Sequence, residues 1–160
     1  MEMIRLKTSV LLGCACKTGA LMAGADSNVC DAFYRYGISL GLAFQLQDDL
    51  LDTYGDPAVF GKNIGGDILN DKKTFLLITA LNHANGSDRD TLLSLLGTRS
   101  DDKIQRVKAI YESTGAGNEC RSLIETYTRD AIAELNAIEM DDEARNFFIS
   151  LAEESINRKS

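Results

Sequence analysis

The sequence predicts an all-α protein, a helical bundle of about seven helices. Three observations predict this class: apolar residues recur every three or four positions along most of the chain, convincing strand alternation is absent, and clusters of Gly, Asn, Asp and Ser separate the periodic stretches. The chain has 160 residues, of which 44% are hydrophobic and 26% charged, close to the average of globular proteins. Because a chain of this length can bury a core, we expect one all-α domain over residues 1–160.

Composition and charge exclude several functions. There are 17 Lys and Arg against 24 Asp and Glu, a net charge of −7, which disfavours a nucleic-acid-binding module because such modules need surplus positive charge. No apolar run is long enough to span a membrane as a helix. The cysteines form no C-x-x-C pair, so we interpret them as small buried side chains in a reducing cytoplasm, the expected localisation. They are Cys14, Cys16, Cys30 and Cys120.

The first predicted helix carries a lysine beside its apolar stripe. Lys7 and Thr8 bracket the direction that Ile4, Leu11 and Ala15 define. A lysine beside a core-facing stripe suggests an acidic or phosphate partner. The alternative stays open that its ammonium group simply reaches solvent while its stem lies along the surface.

The second predicted helix, over residues 28–54, is apolar on two sides, which is typical of a helix in the interior of a bundle. It carries one narrow polar line, which consists of Gln45, Asp52 and, at its edge, Asp49. Gly41 continues this line without a side chain, so we expect another group to approach the backbone closely there.

The end of this helix carries a D-D-x-x-D cluster of Asp48, Asp49 and Asp52, whose first and last members share one face. Two carboxylates about 4 Å apart repel by about 1 kcal/mol in water and by about 4 kcal/mol at an effective dielectric of about 20, so a buried cluster needs a counter-charge. Magnesium meets this need because it binds carboxylates together with phosphate oxygens. A solvated acidic helix end, or a cap for the turn at Gly55, is the alternative.

A glycine-rich loop follows the cluster, over residues 55–66, and lysines lie in it and after it. The loop is not a P-loop, because its glycine spacing is wrong and Asn63 stands where Ser or Thr would bind the metal. Lys62 and Lys72 could still bring ammonium groups to a phosphate that the acidic cluster holds. Each lysine could equally be a solvated surface residue.

The remaining helices are predicted from shorter apolar stripes. A stripe over residues 117–138 predicts a long amphipathic helix, and another follows Ser100, which we expect to be its N-cap. A last stripe follows Asp141 and Asp142. His83 is the only histidine, so histidine-based triads and His-rich zinc sites have no support.

Several motifs occur together in a characteristic order. Lys7-Thr8 comes first, F-Q-x-x-D-D-x-x-D begins at Phe44, G-K-x-x-G-x-D begins at Gly61, and K-x-T begins at Lys72. This ordered set resembles the second half of the trans-isoprenyl diphosphate synthases, the polyprenyl synthetase family, and the resemblance covers the chain almost end to end.

The resemblance implies a function and assigns residues to it. Members of this family use Mg²⁺ to bind an allylic diphosphate, whose ionisation lets the double bond of isopentenyl diphosphate attack it and extend the chain by one isoprene unit. By position, the metal ligands and catalytic residues would be Asp48, Asp49 and Asp52. The residues in contact with the allylic diphosphate would be Lys7, Thr8, Gln45, Lys62 and Lys72. Phe44 would line the cavity.

The departures from the family pattern also have consequences. The family's first aspartate-rich motif is missing, and the second acidic candidate, Asp101 with Asp102, lies downstream and lacks a third carboxylate. We therefore expect the chain to correspond to the C-terminal half of such an enzyme and to be inactive alone. We also expect Phe33, Tyr36 and Leu40 to be exposed, so that the chain forms a homodimer or associates through these surfaces. A non-catalytic helical interaction or accessory protein that keeps the fold is the competing hypothesis.

Overall fold

The computed structural model describes residues 1–56 and 64–157, and its regular structure over these ranges is entirely helical. The all-α prediction is therefore confirmed. The described ranges hold nine α-helices, and a π-helical segment, Arg5–Ser9, joins the first two into one rod, which leaves eight separate helical rods where about seven helices were expected. The helices are α1 (Glu2–Ile4), α2 (Val10–Met22), α3 (Ser27–Tyr54), α4 (Gly66–Leu69), α5 (Phe75–His83), α6 (Gly86–Leu95), α7 (Lys103–Ser113), α8 (Ala116–Asn136) and α9 (Asp142–Ile156).

Two compact units divide the described residues. Among the described residues, the first unit consists of Met1–Gln45 and residues 123–157, and the second is Leu46–Ser122. The boundaries fall inside α3 and α8, so each of these long helices contributes to both units. The interpretation of residues 1–160 as one domain stays a prediction. No described helix is both long enough and apolar enough to cross a membrane.

The core of the first unit corrects the expectation about its exposed surface. Tyr36 and Leu40 are buried, and the Phe33 ring packs edge-on against Phe148 of α9 with centroids 5.0 Å apart. The Tyr36 hydroxyl donates a hydrogen bond of 2.8 Å to the carbonyl of Phe148. The expectation that Phe33, Tyr36 and Leu40 are exposed is thus wrong, because α9 and the C-terminal part of α8, which contributes Leu135, already cover them.

Glycine and serine bring the N-terminal rod into backbone contact with α3. A Cβ atom on Gly41 would lie 2.7 Å from the Ser9 Cα, and one on Gly37 would lie 2.7 Å from the Gly13 Cα. Both pairs have the four-residue spacing of one helix face. The predicted close approach at Gly41 is therefore confirmed, and the approaching group is the π-helical segment.

Two predicted helix boundaries and the predicted burial of one cysteine need correction. The N-cap of α7 is Asp102 and not Ser100, because residues 100–103 form a turn in which the Lys103 N–H donates to the Ser100 carbonyl at 3.1 Å. Helix α8 ends at Asn136, before Ile138. At this helix end the Arg145 guanidinium donates hydrogen bonds to the carbonyls of Leu135, Ile138 and Met140. Among the cysteines, Cys14 is exposed rather than buried. The predicted capping of α9 is confirmed, since Asp141 accepts a hydrogen bond of 2.8 Å from the Ala144 N–H.

The second unit packs α4–α7 with the end of α3 and the start of α8. Helix α5 begins at a cap, because the Thr74 hydroxyl accepts a hydrogen bond of 3.2 Å from the Leu77 N–H. This cap fixes the start of α5 directly after Lys72 and Lys73. The buried apolar side chains of the unit include Leu46, Leu50, Ile68, Leu76, Leu77, Leu92, Val107, Ile110 and Tyr111.

We predict that Gly41→Ala destabilises the first unit while Gly19→Ala does not. The added methyl at Gly41 meets backbone that cannot move aside, which costs about 1–3 kcal/mol of unfolding free energy. Gly19 lies in α2 with nothing within 4 Å of a Cβ, so alanine there should add about 0.5–1 kcal/mol by its helix propensity. Urea denaturation measures both variants, and equal effects would contradict this account of the helix crossing.

Candidate functional site

The acidic cluster at the end of α3 lies in the second unit, and its three members differ in exposure. Asp49 is buried, with only 2% of its surface exposed, Asp52 is partly buried, and Asp48 is exposed. The sequence predicts Asp49 at the edge of the polar line, whereas the structure buries its side chain in the protein. A carboxylate removed from water in this way needs a partner of opposite charge.

Lys72 is the partner of Asp49. Its ammonium Nζ lies 3.2 Å from Asp49 Oδ1 and 2.7 Å from Asp67 Oδ2. Burial alone would lower the pKa of Lys72, but its hydrogen bond to Asp67 and the charge of Asp49 outweigh burial and raise the pKa. The structure thus brings together two predicted site residues that stand 23 positions apart in the sequence. Asp67 was not among the predicted site residues, although its place in the G-K-x-x-G-x-D motif is a sequence signal for it.

Asp52 contacts the short helix α4. Its carboxylate Oδ2 accepts a hydrogen bond of 2.8 Å from the Asp67 N–H, and its carbonyl accepts one of 2.7 Å from the Gly65 N–H. Burial raises the pKa of Asp52, and the hydrogen bond from the Asp67 N–H opposes this shift. Capping was the alternative to metal binding for this cluster. Asp52 does act as a cap, but for α4 and not for the turn at Gly55. Asp52 orients the backbone that carries Asp67.

The donor chemistry of the cluster suits a hard cation, but its geometry is not that of a finished site. Over residues 1–56 and 64–157, no three His, Cys, Asp or Glu side chains converge closely enough to hold a metal ion. The available donors, on Asp48, Asp49 and Asp52, are all carboxylate oxygens, as Mg²⁺ prefers. Lys72 neutralises Asp49 in this structure, as a divalent ion would when bound.

Four of the predicted site residues lie in the first unit. The Thr8 hydroxyl donates a long hydrogen bond of 3.4 Å to Gln45 Oε1, so these two predicted contacts are neighbours. Lys7 is exposed and Phe44 is partly buried. Lys7 and Thr8 both lie within the π-helical segment, a kind of irregularity that often occurs at functional sites. The remaining predicted residue, Lys62, lies outside the described residues.

Comparison with known proteins identifies the fold and the family. The structure matches a polyprenyl synthetase from Streptomyces coelicolor with a TM-score of 0.90 and 31% identity, over 97% of this chain and 48% of that one. It also matches a geranylgeranyl pyrophosphate synthase from Corynebacterium glutamicum, solved with isoprenyl diphosphate and magnesium, with a TM-score of 0.80 and 35% identity, over 88% of this chain and 40% of that one. The fold is therefore that of the isoprenoid synthases.

The family follows from the sequence itself. The polyprenyl synthetase model matches residues 1–114. A short chain isoprenyl diphosphate synthase from Methanothermobacter thermautotrophicus is 35% identical over 99% of this chain and 49% of its own length. The chain belongs to the polyprenyl synthetase family, and it spans about half the length of the curated relatives it matches.

We predict that Asp52 and Asp48 differ in their contribution to stability. Asp52→Ala removes the acceptor for the Asp67 N–H and should lower the unfolding free energy by about 1 kcal/mol, whereas Asp52→Asn keeps an acceptor and should cost less. Asp48→Ala, on the exposed side, should leave the unfolding free energy nearly unchanged. Thermal and urea unfolding at neutral pH measure the series. Equal losses for the two alanine variants would show that Asp52 does not act as a cap.

Proposed function

We propose that this chain supplies the second aspartate-rich half of an isoprenyl diphosphate synthase, and that it binds the diphosphate group of an allylic substrate together with Mg²⁺. The observation that carries the proposal is the meeting of Lys72 with Asp49 and Asp67 at the acidic end of α3. Three motifs that are separate in the sequence thus supply carboxylates and an ammonium group to one place, and a metal-bound diphosphate needs both kinds of group.

The residues have distinct roles in this proposal. Asp48, Asp49 and Asp52 would hold Mg²⁺, which when bound neutralises the charge that develops on the leaving diphosphate. Lys72 would then turn its ammonium group from Asp49 to a phosphate oxygen, because the bound cation takes over the neutralisation of Asp49. Lys7, Thr8, Gln45 and Lys62 would contact the same allylic diphosphate, and Phe44 would line the cavity for its hydrocarbon chain.

The reaction proposed for the complete enzyme is a condensation. The bond between the allylic carbon and the diphosphate oxygen breaks, and diphosphate leaves with the bonding electron pair. The double bond of isopentenyl diphosphate forms the new carbon–carbon bond, and loss of a proton restores a double bond in the longer product. We expect no turnover from this chain alone, because it carries one aspartate-rich motif.

The names of the relatives support this proposal. The matched proteins are isoprenyl diphosphate synthases, and one related structure was solved with isoprenyl diphosphate and magnesium. The competing hypothesis, a non-catalytic interaction or accessory protein, is favoured by apolar side chains that lie exposed along the N-terminal rod. These are Met3, Leu6, Leu11, Leu21 and Met22.

Binding of geranyl diphosphate distinguishes the two hypotheses. We expect calorimetry to detect binding that requires Mg²⁺, and we expect Asp48→Ala to weaken it about tenfold or more, because a metal ligand is lost without loss of stability. Asp101→Ala is the matched control, since it removes one exposed carboxylate elsewhere and should leave the affinity unchanged. Binding that is absent, or that is insensitive to Mg²⁺ and to Asp48→Ala, would favour the accessory protein.

We also propose that the chain associates with a second copy through the exposed apolar side chains of the N-terminal rod. Leu11 is 75% exposed, so Leu11→Gln should weaken association without disturbing the core. Leu93→Gln is the matched control, at an exposed leucine of the second unit. Analytical ultracentrifugation over a concentration series measures both variants. A monomer at every concentration, or an equal effect of both substitutions, would exclude this surface.

A further inference from the structure

The turn that carries Lys72 is held by its neighbour Asp71. Asp71 has a φ of +51°, and it is the only residue other than glycine with a positive φ in the described ranges 1–56 and 64–157. Left-handed backbone costs energy for a residue with a Cβ, and Asp or Asn adopt it more readily than most other residues. Such a conformation persists where the surroundings hold it.

The surroundings that hold Asp71 come from the start of α7 and the chain before it. Lys103 Nζ lies 2.7 Å from Asp71 Oδ1 and also donates a hydrogen bond of 3.0 Å to the Thr98 carbonyl. The Gly97 N–H donates to the other carboxylate oxygen of Asp71 at 2.9 Å. Both oxygens of Asp71 are therefore engaged, and the hydrogen bond from Lys103 lowers the pKa of this carboxyl.

Lys103 is an unusual lysine because only 1% of its surface is exposed. A buried ammonium group is tolerated only when it is paired and hydrogen-bonded, and Asp71 and Thr98 supply these partners. Ion pairs also form between exposed side chains, as Lys17 and Asp31 do at 2.6 Å, so pairing alone does not explain why Lys103 is buried. The ion pair of the buried Lys103 with Asp71 joins the Lys72 turn to the start of α7.

The chain on both sides of Lys72 is also fixed. The Lys72 N–H donates to the Asp67 carbonyl at 2.9 Å, and the Thr74 N–H donates to the Lys72 carbonyl at 2.7 Å. Asp71 is anchored on one side of Lys72 and the Thr74 cap of α5 lies on the other, so the backbone of Lys72 is held on both sides. From this turn the Lys72 side chain reaches Asp49 and Asp67.

We propose that Asp71 and Lys103 are positioning residues for Lys72. Their ion pair, in which Lys103 is buried and Asp71 is partly exposed, holds the left-handed turn that delivers the Lys72 ammonium group to the carboxylates of the candidate site. When an anion draws Lys72 away from Asp49, the anchored backbone keeps its ammonium group within reach of the site. This last consequence rests on the proposed function, whereas the positioning itself does not.

The first test needs no ligand. We expect the side-chain NMR signals of Lys72, assigned by their loss in Lys72→Ala, to show a restrained side chain in the wild-type chain. In Lys103→Met they should shift toward the values of a mobile, exposed lysine. Lys17→Met is the matched control, because it removes a lysine from an exposed ion pair and should leave the Lys72 signals unchanged. Unchanged Lys72 signals in a folded Lys103→Met chain would overturn the proposal.

A second variant, Asp71→Asn, allows the same test if Lys103→Met does not fold. Asp71→Asn keeps a side chain that tolerates the left-handed turn and can accept the Gly97 N–H, while it removes the charge that Lys103 needs. Circular dichroism confirms folding before each measurement. If Lys103→Met does not fold, the same shift of the Lys72 signals is expected in Asp71→Asn, and its absence there would overturn the proposal.

The second test measures binding of inorganic pyrophosphate in the presence of Mg²⁺. We expect Lys103→Met to weaken binding about tenfold in the wild-type background and to have no effect in the Lys72→Ala background, because Lys103 acts through Lys72. Equal losses in both backgrounds would indicate a merely structural role and contradict the proposal. If the wild-type chain binds no pyrophosphate, the proposed function fails, while the NMR experiment still decides whether Lys103 positions Lys72.

Discussion

A buried carboxylate that must be neutralised is the constraint on which the candidate site depends. Asp49 lies almost wholly out of water at the end of a helix that is apolar on two sides, where an unpaired charge would be expensive. In this structure the neutralising charge is the ammonium group of Lys72. The same requirement could be met by a divalent cation, so the two states of the site would differ in which positive charge faces Asp49.

The residues around Lys72 would allow a divalent cation to replace its ammonium group beside Asp49. Asp67 accepts a hydrogen bond from Lys72 and donates its own N–H to Asp52, which ties the short helix α4 to the acidic cluster. Asp71 and its buried lysine partner hold the turn from the other side. These contacts hold the backbone on both sides of Lys72, so only its ammonium group would have to move in the exchange of cations that we propose.

The sequence predicted most helices and part of the site, because these depend on local periodicity and ordered motifs. The close approach at Gly41 was expected from patterns within a short stretch of chain, and Lys72 was expected to serve a phosphate held by the acidic cluster, whereas its direct pairing with Asp49 was not predicted. The burial of Tyr36 was missed because its cover, Phe148, stands 112 positions away in the sequence. Lys103 was missed for a similar reason, since a lysine at the start of an amphipathic helix has the pattern of a surface residue.

The π-helical segment Arg5–Ser9 has a consequence for how the family can vary in sequence. Ser9 touches the backbone of α3 at Gly41, so its position is fixed, while Lys7 and Thr8 obtain their orientation from the wider turn that precedes it. Because a π-helical turn takes up one extra residue, loss of a single codon here would restore an ordinary helix and change the directions in which Lys7 and Thr8 point. Insertions and deletions should therefore be rare in this stretch among homologues.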